Sequence, residues 1–342
     1  MKQGRSIQEV LQELTRQQDT KKDYVAPARQ IVLREDGSTL EIGDLEPLGT
    51  SHLFHRQIAS ALGIPAKYYD LMKEQQPSLL ATNVNTWMGA RQNSYMVRTI
   101  NYGEGQTARA FLSERYRRRD NLEIASAVLP LFAGTAEYTI ESSEVTSARL
   151  YMKILNRRLE AEVVPGDVVQ AGVVISNSEV GLGAVSVQPL IYRLACTNGM
   201  VISDMGERRN HIGRAAKLQE DFSLYSDETL EAEDKAFLLK LKDTVLAAIE
   251  ENRFSMVVDR LRVSAGIPIK GDIQEAVQVA SQTFGFNSEE QGSILRYLIE
   301  GGDLSLYGLA NAVTRTSQDV GSYDRATELE AAGWQIATKE WR

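Results

Sequence analysis

Between residues 135 and 203 the chain alternates in a way that a β-sheet satisfies and a helix does not. Leu150, Met152 and Ile154 stand two apart with Tyr151 and Lys153 between them, and the runs Val173, Val174, Ile175 and Val185, Val187, Ile191 follow. Successive side chains of a strand point to opposite faces, so this spacing predicts strands, and the β-branched residues suit a pleated surface. Pro165-Gly166 and the stretch Asn177 to Gly183 supply loops. Strands joined in this way pair antiparallel, and the expectation is a central antiparallel sheet.

Helical spacing brackets that sheet. Ile7, Val10, Leu11 and Leu14 mark one helix, and the polar stretch from Arg16 to Asp23 reads as a flexible connection. Phe54, Ile58 and Leu62 define a short helix that Gly63 ends; Pro65 suits the first turn of a second, carrying Tyr68, Tyr69 and Met72. From Trp87 to Leu112 the pattern turns to alternation, with Tyr95, Val97 and Thr99 on one side and Asn101, Gly103 and Gly105 as a loop, which predicts a strand pair. After Asp120, Leu122, Ile124, Ala125, Val128 and Leu129 return to helical spacing and stop at Pro130. The acidic, turn-prone stretch Gln219 to Asp234 leads into a long helix with Leu238, Leu241, Val245 and Ile249 on one face. Further on, Ser288 and Gln291 form a capping-box pattern, and Leu306, Leu309, Ala310 and Val313 form an apolar stripe. The expected fold class is α+β, with helices on one face of the sheet: an N-terminal helical arm over 1–45, an α+β core domain over 46–218 and a mostly helical C-terminal region over 219–342.

Composition narrows the function classes. A chain of 342 residues with 43% hydrophobic content can bury a substantial core. It has no run of about 18 apolar residues, and the opening Met1 to Tyr24 is charged and helix-like rather than an apolar leader, so the expected location is the cytoplasm, without a membrane partner. One cysteine, Cys196, leaves no intramolecular disulfide and no cysteine-based zinc site. The net charge of −8 disfavours indiscriminate polyanion binding and throws the weight onto local clusters.

Two such clusters stand out. The first runs Arg109-Ala-Phe-Leu-Ser-Glu-Arg115-Tyr116-Arg117-Arg118-Arg119-Asp120-Asn121. Guanidinium groups donate paired hydrogen bonds to phosphates, and a ring such as Tyr116 or Phe111 can stack on an unpaired base, so one reading is a nucleic-acid groove. The other is a structural network in which Glu114, Asp120 and Glu123 neutralise the arginines around a helix start. The second cluster, Arg208, Arg209, His211, Arg214 and Lys217, either extends a phosphate track or forms a solvated face balanced by Glu207, Glu220 and Asp221.

Other motifs carry less. Gln57 to Tyr69 has the outline of a helix-turn-helix, but its second helix mixes Lys67 and Lys73 with Asp70 and Glu74. His52 and His55 stand three apart without a third ligand nearby, which favours structural histidines and no metal. Gly181 and Gly183 lead into the strand-like Val185-Ser-Val187, where a dinucleotide site needs a helix N-terminus. Asn198-Gly199 reads as a hairpin turn and Cys196 as a buried structural cysteine. No complete catalytic motif and no cofactor signature is present in the chain.

Several stretches in order carry a family resemblance: Arg109 to Arg117, Asp120-Asn121, Asn177-Ser-Glu-Val-Gly181, Tyr192-Arg-Leu-Ala-Cys-Thr-Asn-Gly-Met200 and Tyr307-Gly-Leu-Ala-Asn-Ala-Val-Thr314. From about Leu48 to about Trp334 the chain resembles the domain of unknown function 932 family of phage- and plasmid-like proteins. The resemblance implies a mobile-element setting, with replication, recombination or defence roles. Together the residues point to a nucleic-acid-binding protein, with single-stranded DNA as the partner and strand annealing by a homo-oligomer as a compatible activity. Two readings from other classes stand beside it. One is an enzyme assembling Asp120, Glu179, Cys196 and His211, and the other an interaction or scaffold protein using its long helices.

Overall fold

A computed structural model describes residues 1–183, 185–205, 207–209 and 227–338, with 207–209 and 227–231 described by their backbone. The fold is α+β and contains two six-stranded sheets. The first comprises β1 (Lys22–Pro27), β2 (Ile31–Leu33), β3 (Thr39–Ile42), β4 (Leu48–Thr50), β5 (Ser94–Asn101) and β6 (Gln106–Ser113), in the order β1-β5-β6-β4-β3-β2. Only the β4–β6 pair is parallel. Between β4 and β5 come α2 (His52–Leu62), α3 (Ala66–Gln75) and α4 (Pro77–Gly89), whose Phe54, Ile58, Met72, Leu80 and Val84 close over Leu33, Leu40, Val97 and Phe111. Gly63 ends α2 with φ of 71°, a left-handed conformation that glycine adopts without a Cβ clash, so the helical hairpin is built as its sequence predicts.

The stretch Arg16 to Asp23 is not the flexible connection expected of it. Helix α1 (Ile7–Thr20) runs through its first part, and β1 takes the rest as an edge strand on β5. The physical reason is long-range. The β5 ladder satisfies the backbone of this polar segment, and Asp23 lies directly opposite Arg98 in register.

The second sheet is antiparallel throughout: β7 (Tyr138–Val145), β8 (Leu150–Glu162), β9 (Val168–Asn177), β10 (Val185–Arg193) and β11 (Asn198–Val201) in reverse order, with β12 (Glu207–Arg209) beside β11 on the same edge of β10. Met152, Ile154, Val173 and Ile175 pack under α1, α5 (Asn121–Val128) and α6 (Asp227–Ala248). The alternate residues do not face water. Tyr151 reaches Asp324 at 2.7 Å and Lys153 reaches Glu330 at 2.6 Å, both acceptors lying on α11 (Tyr323–Thr338). Helices therefore cover both faces of this sheet, not one. Burial pulls the Lys153 pKa down and Glu330 opposes it.

The C-terminal helices α7 (Glu251–Ala265), α8 (Ile273–Phe284), α9 (Ser288–Gly301), α10 (Leu306–Thr316) and α11 pack around Leu309, Val313 and Trp334 and against Ala171 and Ile191. The stripe Leu306, Leu309, Ala310, Val313 is buried, as its spacing predicts. The cap of α9 lies one residue earlier than the sequence pattern suggests: Asn287 is the N-cap and Glu290 closes the box, because Asn287 holds the extended conformation an N-cap needs. The hairpin turn also lies earlier. Thr197 takes the left-handed conformation with φ of 52°, and Asn198-Gly199 belong to β11, where a Cβ on Gly199 would sit 3.1 Å from Leu190 and Met1. Cys196 is in that turn and half-buried rather than sealed in the core. No helix among the described residues is long and apolar enough to cross a membrane.

Candidate nucleic-acid interface

The basic turn connects β6 to α5 where the two sheets meet. Ser113 closes it, its carbonyl accepting from the Tyr116 amide at 3.0 Å and its hydroxyl from the Arg115 amide at 3.2 Å. The turn then runs to Asp120, the N-cap position of α5. Asp120 does not cap the helix with its side chain, since its carboxylate is already taken by Arg98 at 2.8 Å and by Lys21. Burial works to raise its pKa, but Arg98 and Lys21 outweigh it and hold the carboxyl below the usual range.

Arg98 is the centre of this junction and is fully buried. Its guanidinium donates to Asp23 at 2.8 and 3.1 Å, to Asp120 at 2.8 Å and to the Glu179 carbonyl at 2.9 Å. Burial opposes its charge, yet Asp120 and Asp23 raise its pKa above the ordinary arginine value. Arg109 pairs with the Glu179 carboxylate, whose other oxygen accepts from the Asn121 amide at 2.5 Å and so supplies the cap that Asp120 does not. Asn177 donates to the Arg119 carbonyl at 2.8 Å and to Asn121 at 2.9 Å. The loop between β9 and β10 is thereby tied to the turn. Gln57 fastens the same loop to β6, donating to the Val180 carbonyl at 2.6 Å and accepting from the Phe111 amide at 2.8 Å.

The predicted contact residues divide on this frame. Arg109 is buried and belongs to the junction. Tyr116, expected to be a stacking ring, is half-buried against Met96, Ala110, Leu112 and Val180 and donates to the Ser178 carbonyl at 2.9 Å; burial raises its pKa to about 12. It is a strut for the turn rather than an open ring. Arg119 is also buried, with its guanidinium 3.4 Å above the Phe237 ring and 4.0 Å from Asp234. Burial, joined by the charge of Arg117, lowers its pKa against the pull of Asp234.

The outer edge of the turn is different. Arg115 is exposed. Arg118 is half-exposed, with its Nε 3.3 Å from Asp23. Arg117 meets Glu233 at 2.8 Å and Asp234 at 3.6 Å, both on the first half of α6. The end of the acidic stretch expected to be turn-prone is thus helix, and its Glu233 and Asp234 face the arginines.

Of the second cluster, Arg208 and Arg209 lie on β12, opposite Ser186 and Val185 at the start of β10. That is the end of β10 that follows the Glu179 loop, so the backbone brings both basic segments to one end of the second sheet. His211, Arg214 and Lys217 lie outside the described residues. The helical hairpin offers no basic recognition face: Tyr69 and Met72 are buried, Asp70 pairs with Arg56 at 2.9 Å, and the exposed residues of α3 are Lys67, Tyr68, Leu71 and Glu74 among others.

Of the enzyme reading's residues, His211 lies outside the described residues and the other three do not come together. Asp120 and Glu179 meet around Arg98 and Arg109, but Cys196 sits beyond the opposite end of β10, 3.3 Å from Arg193. Among the described residues no group of three or more His, Cys, Asp and Glu side chains could hold a metal. His55 is structural, wedged between Thr50 at 2.9 Å and Tyr69 at 2.7 Å, and burial lowers its pKa to about 4. Sequence reasoning missed Arg98, Lys21 and Asp23 because their partners are 22 to 99 positions away by number, brought close by the β1–β5 register and by the turn that carries Asp120. It also missed Phe237, whose ring meets Arg119 only when α6 is folded across the turn.

Comparison with family models, with curated proteins and with solved structures finds no match to this chain.

Proposed function

We propose that the chain binds nucleic acid, with single-stranded DNA as its ligand, along the outer edge of the basic turn at Arg115, Arg117 and Arg118, continued by the strand that carries Arg208 and Arg209. The observation that carries this reading is the contrast in how the arginines are held. Arg98 and Arg109 are locked below, whereas Arg117, its own side chain 20% exposed, is paired with carboxylates that are 61% and 47% exposed. Carboxylates this wet gain little from pairing over their hydration, and a phosphate accepts paired guanidinium hydrogen bonds at least as well as a carboxylate, so such pairs exchange. A rigid mount beneath exchangeable arginines suits backbone recognition. Single strands fit better than duplex because the α2–α3 hairpin presents no basic helix to a groove. The reading places the protein in the replication or recombination of a phage- or plasmid-like element, within the domain of unknown function 932 family, with strand annealing by a homo-oligomer as the activity this surface would serve.

A labelled single-stranded oligonucleotide titrated at low and moderate salt tests it. Wild type is expected to bind with an affinity that falls as salt rises, and Arg117→Ala/Arg118→Ala to bind more weakly with a salt slope shallower by about 0.7 per lost phosphate contact. Arg119 is left in place because it is buried. Tighter binding of duplex of the same length would redirect the reading to double-stranded DNA, and salt-independent binding would remove the arginines from it.

A further inference from the structure

Arg119 is buried, yet its Nε and Nη1 have no hydrogen-bond partner among the described residues. A buried cation with unused donors is costly, and its nearest carboxylate, Asp234, is 4.0 Å from Nη2, at the limit of an ion pair. What covers it is the first half of α6. Glu233 and Asp234 sit against Arg117 and Arg119, and the Phe237 ring centroid lies 3.4 Å from the Arg119 guanidinium carbon.

The two halves of α6 are held differently. From Leu241 onward, Leu241, Val245, Ala248 and Ile249 are buried in the core over the second sheet. Before Leu241, Glu233, Lys235, Ala236, Leu239 and Lys240 are exposed, and among the described side chains of this half Phe237 and Leu238 alone touch the edge of that core. The second half anchors the helix. The described side chains of the first half meet the basic turn through the Glu233 and Asp234 ion pairs and the Phe237 ring.

The carboxylate side of the contact is crowded as well. Glu123, on α5, has its pKa raised by burial and by the charges of Asp120 and Asp234. Asp234 is therefore placed beside other acids as well as beside the arginines.

We infer that Arg119 is a phosphate site kept covered, and that the first half of α6 is an internal competitor whose Glu233 and Asp234 stand where phosphodiester groups bind. This rests on the nucleic-acid reading above. When the segment before Leu241 lifts, the spare donors of Arg119 join Arg117 and Arg118 in one row of three guanidinium groups, and the anchored half of α6 stays in the core.

The experiment compares the binding of a labelled single-stranded oligonucleotide to wild type, to Glu233→Gln/Asp234→Asn, and to Glu289→Gln/Glu300→Gln, which changes the net charge equally on α9. Glu233→Gln/Asp234→Asn is expected to bind about three- to tenfold tighter than wild type, and the α9 variant to match wild type. Native-state hydrogen exchange on the wild type adds a readout that charge alone does not move: oligonucleotide is expected to speed exchange over residues 232–240 and leave 241–249 protected. If wild type and Glu233→Gln/Asp234→Asn bind equally, the competitor is wrong while the nucleic-acid reading stands. An equal gain in the α9 variant, or unchanged exchange in α6, overturns the competitor too. If no protein binds at low salt, both ideas fall.

Discussion

Beneath the basic turn and above it, the same two chemical groups meet with opposite consequences. Below, Asp23, Asp120 and Glu179 hold Arg98 and Arg109 out of contact with water. Above, Glu233 and Asp234 hold a half-buried Arg117 through carboxylates that are about half exposed or more. Removing one partner from a buried pair strands a charge in a poorly solvated place, so the lower set is fixed for as long as the fold lasts. The upper pairs gain little over hydration and can change partners. A run of arginines is therefore not one feature: burial sorts it into architecture and surface within about ten residues.

The largest expected effect lies below. Arg98→Met leaves Asp23 and Asp120 without their shared cation and should cost about 3–5 kcal/mol, read as a fall in the urea midpoint at unchanged slope. A loss no greater than that of a surface arginine would erase the distinction between the two sets.

A buried group without a charged partner sharpens the comparison at a smaller scale. His55 is neutral in the fold, its pKa lowered by burial and further by Lys73 and His52 against the weaker opposing pull of Asp70. The unfolded chain binds a proton there near pH 6.5 and the fold does not until about pH 4. Stability from this residue is thus complete above pH 6.5 and is lost as pH falls toward 4, by about 1.4 kcal/mol per pH unit at most. Denaturation of wild type and His55→Gln across that window checks it, the variant being expected to lack that part of the slope.

How far the chain could be read without its structure follows from the range of each interaction. Strands β8 to β10 and the stripe on α10 were legible because their signal is local periodicity. The same alternation placed Lys153 opposite Met152 but carried no hint that Glu330, 177 residues on, would cover it. In the candidate site, the sequence located the arginines, but the carboxylate of Asp120 that it assigned to them pairs with Arg98 and Lys21 instead. It could not rank the arginines. Whether Arg109 or Arg118 is buried depends on the loop bearing Glu179 and on the register that sets Asp23 against Arg98, and neither leaves a local trace. The acidic stretch before Asp234 was visible as charge, while its role as a cover required α6 to lie across the turn.

Arginine-selective labelling with phenylglyoxal, followed residue by residue by mass spectrometry with and without a single-stranded oligonucleotide, tests the central claim most directly. The account predicts fast modification of Arg115 and Arg118, slow modification of Arg98 and Arg109, and protection by the oligonucleotide at Arg115, Arg117 and Arg118 but not at Arg98 or Arg109. Modification of Arg98 or Arg109 at the rate of Arg118, or an oligonucleotide that protects neither Arg115 nor Arg118, would contradict it.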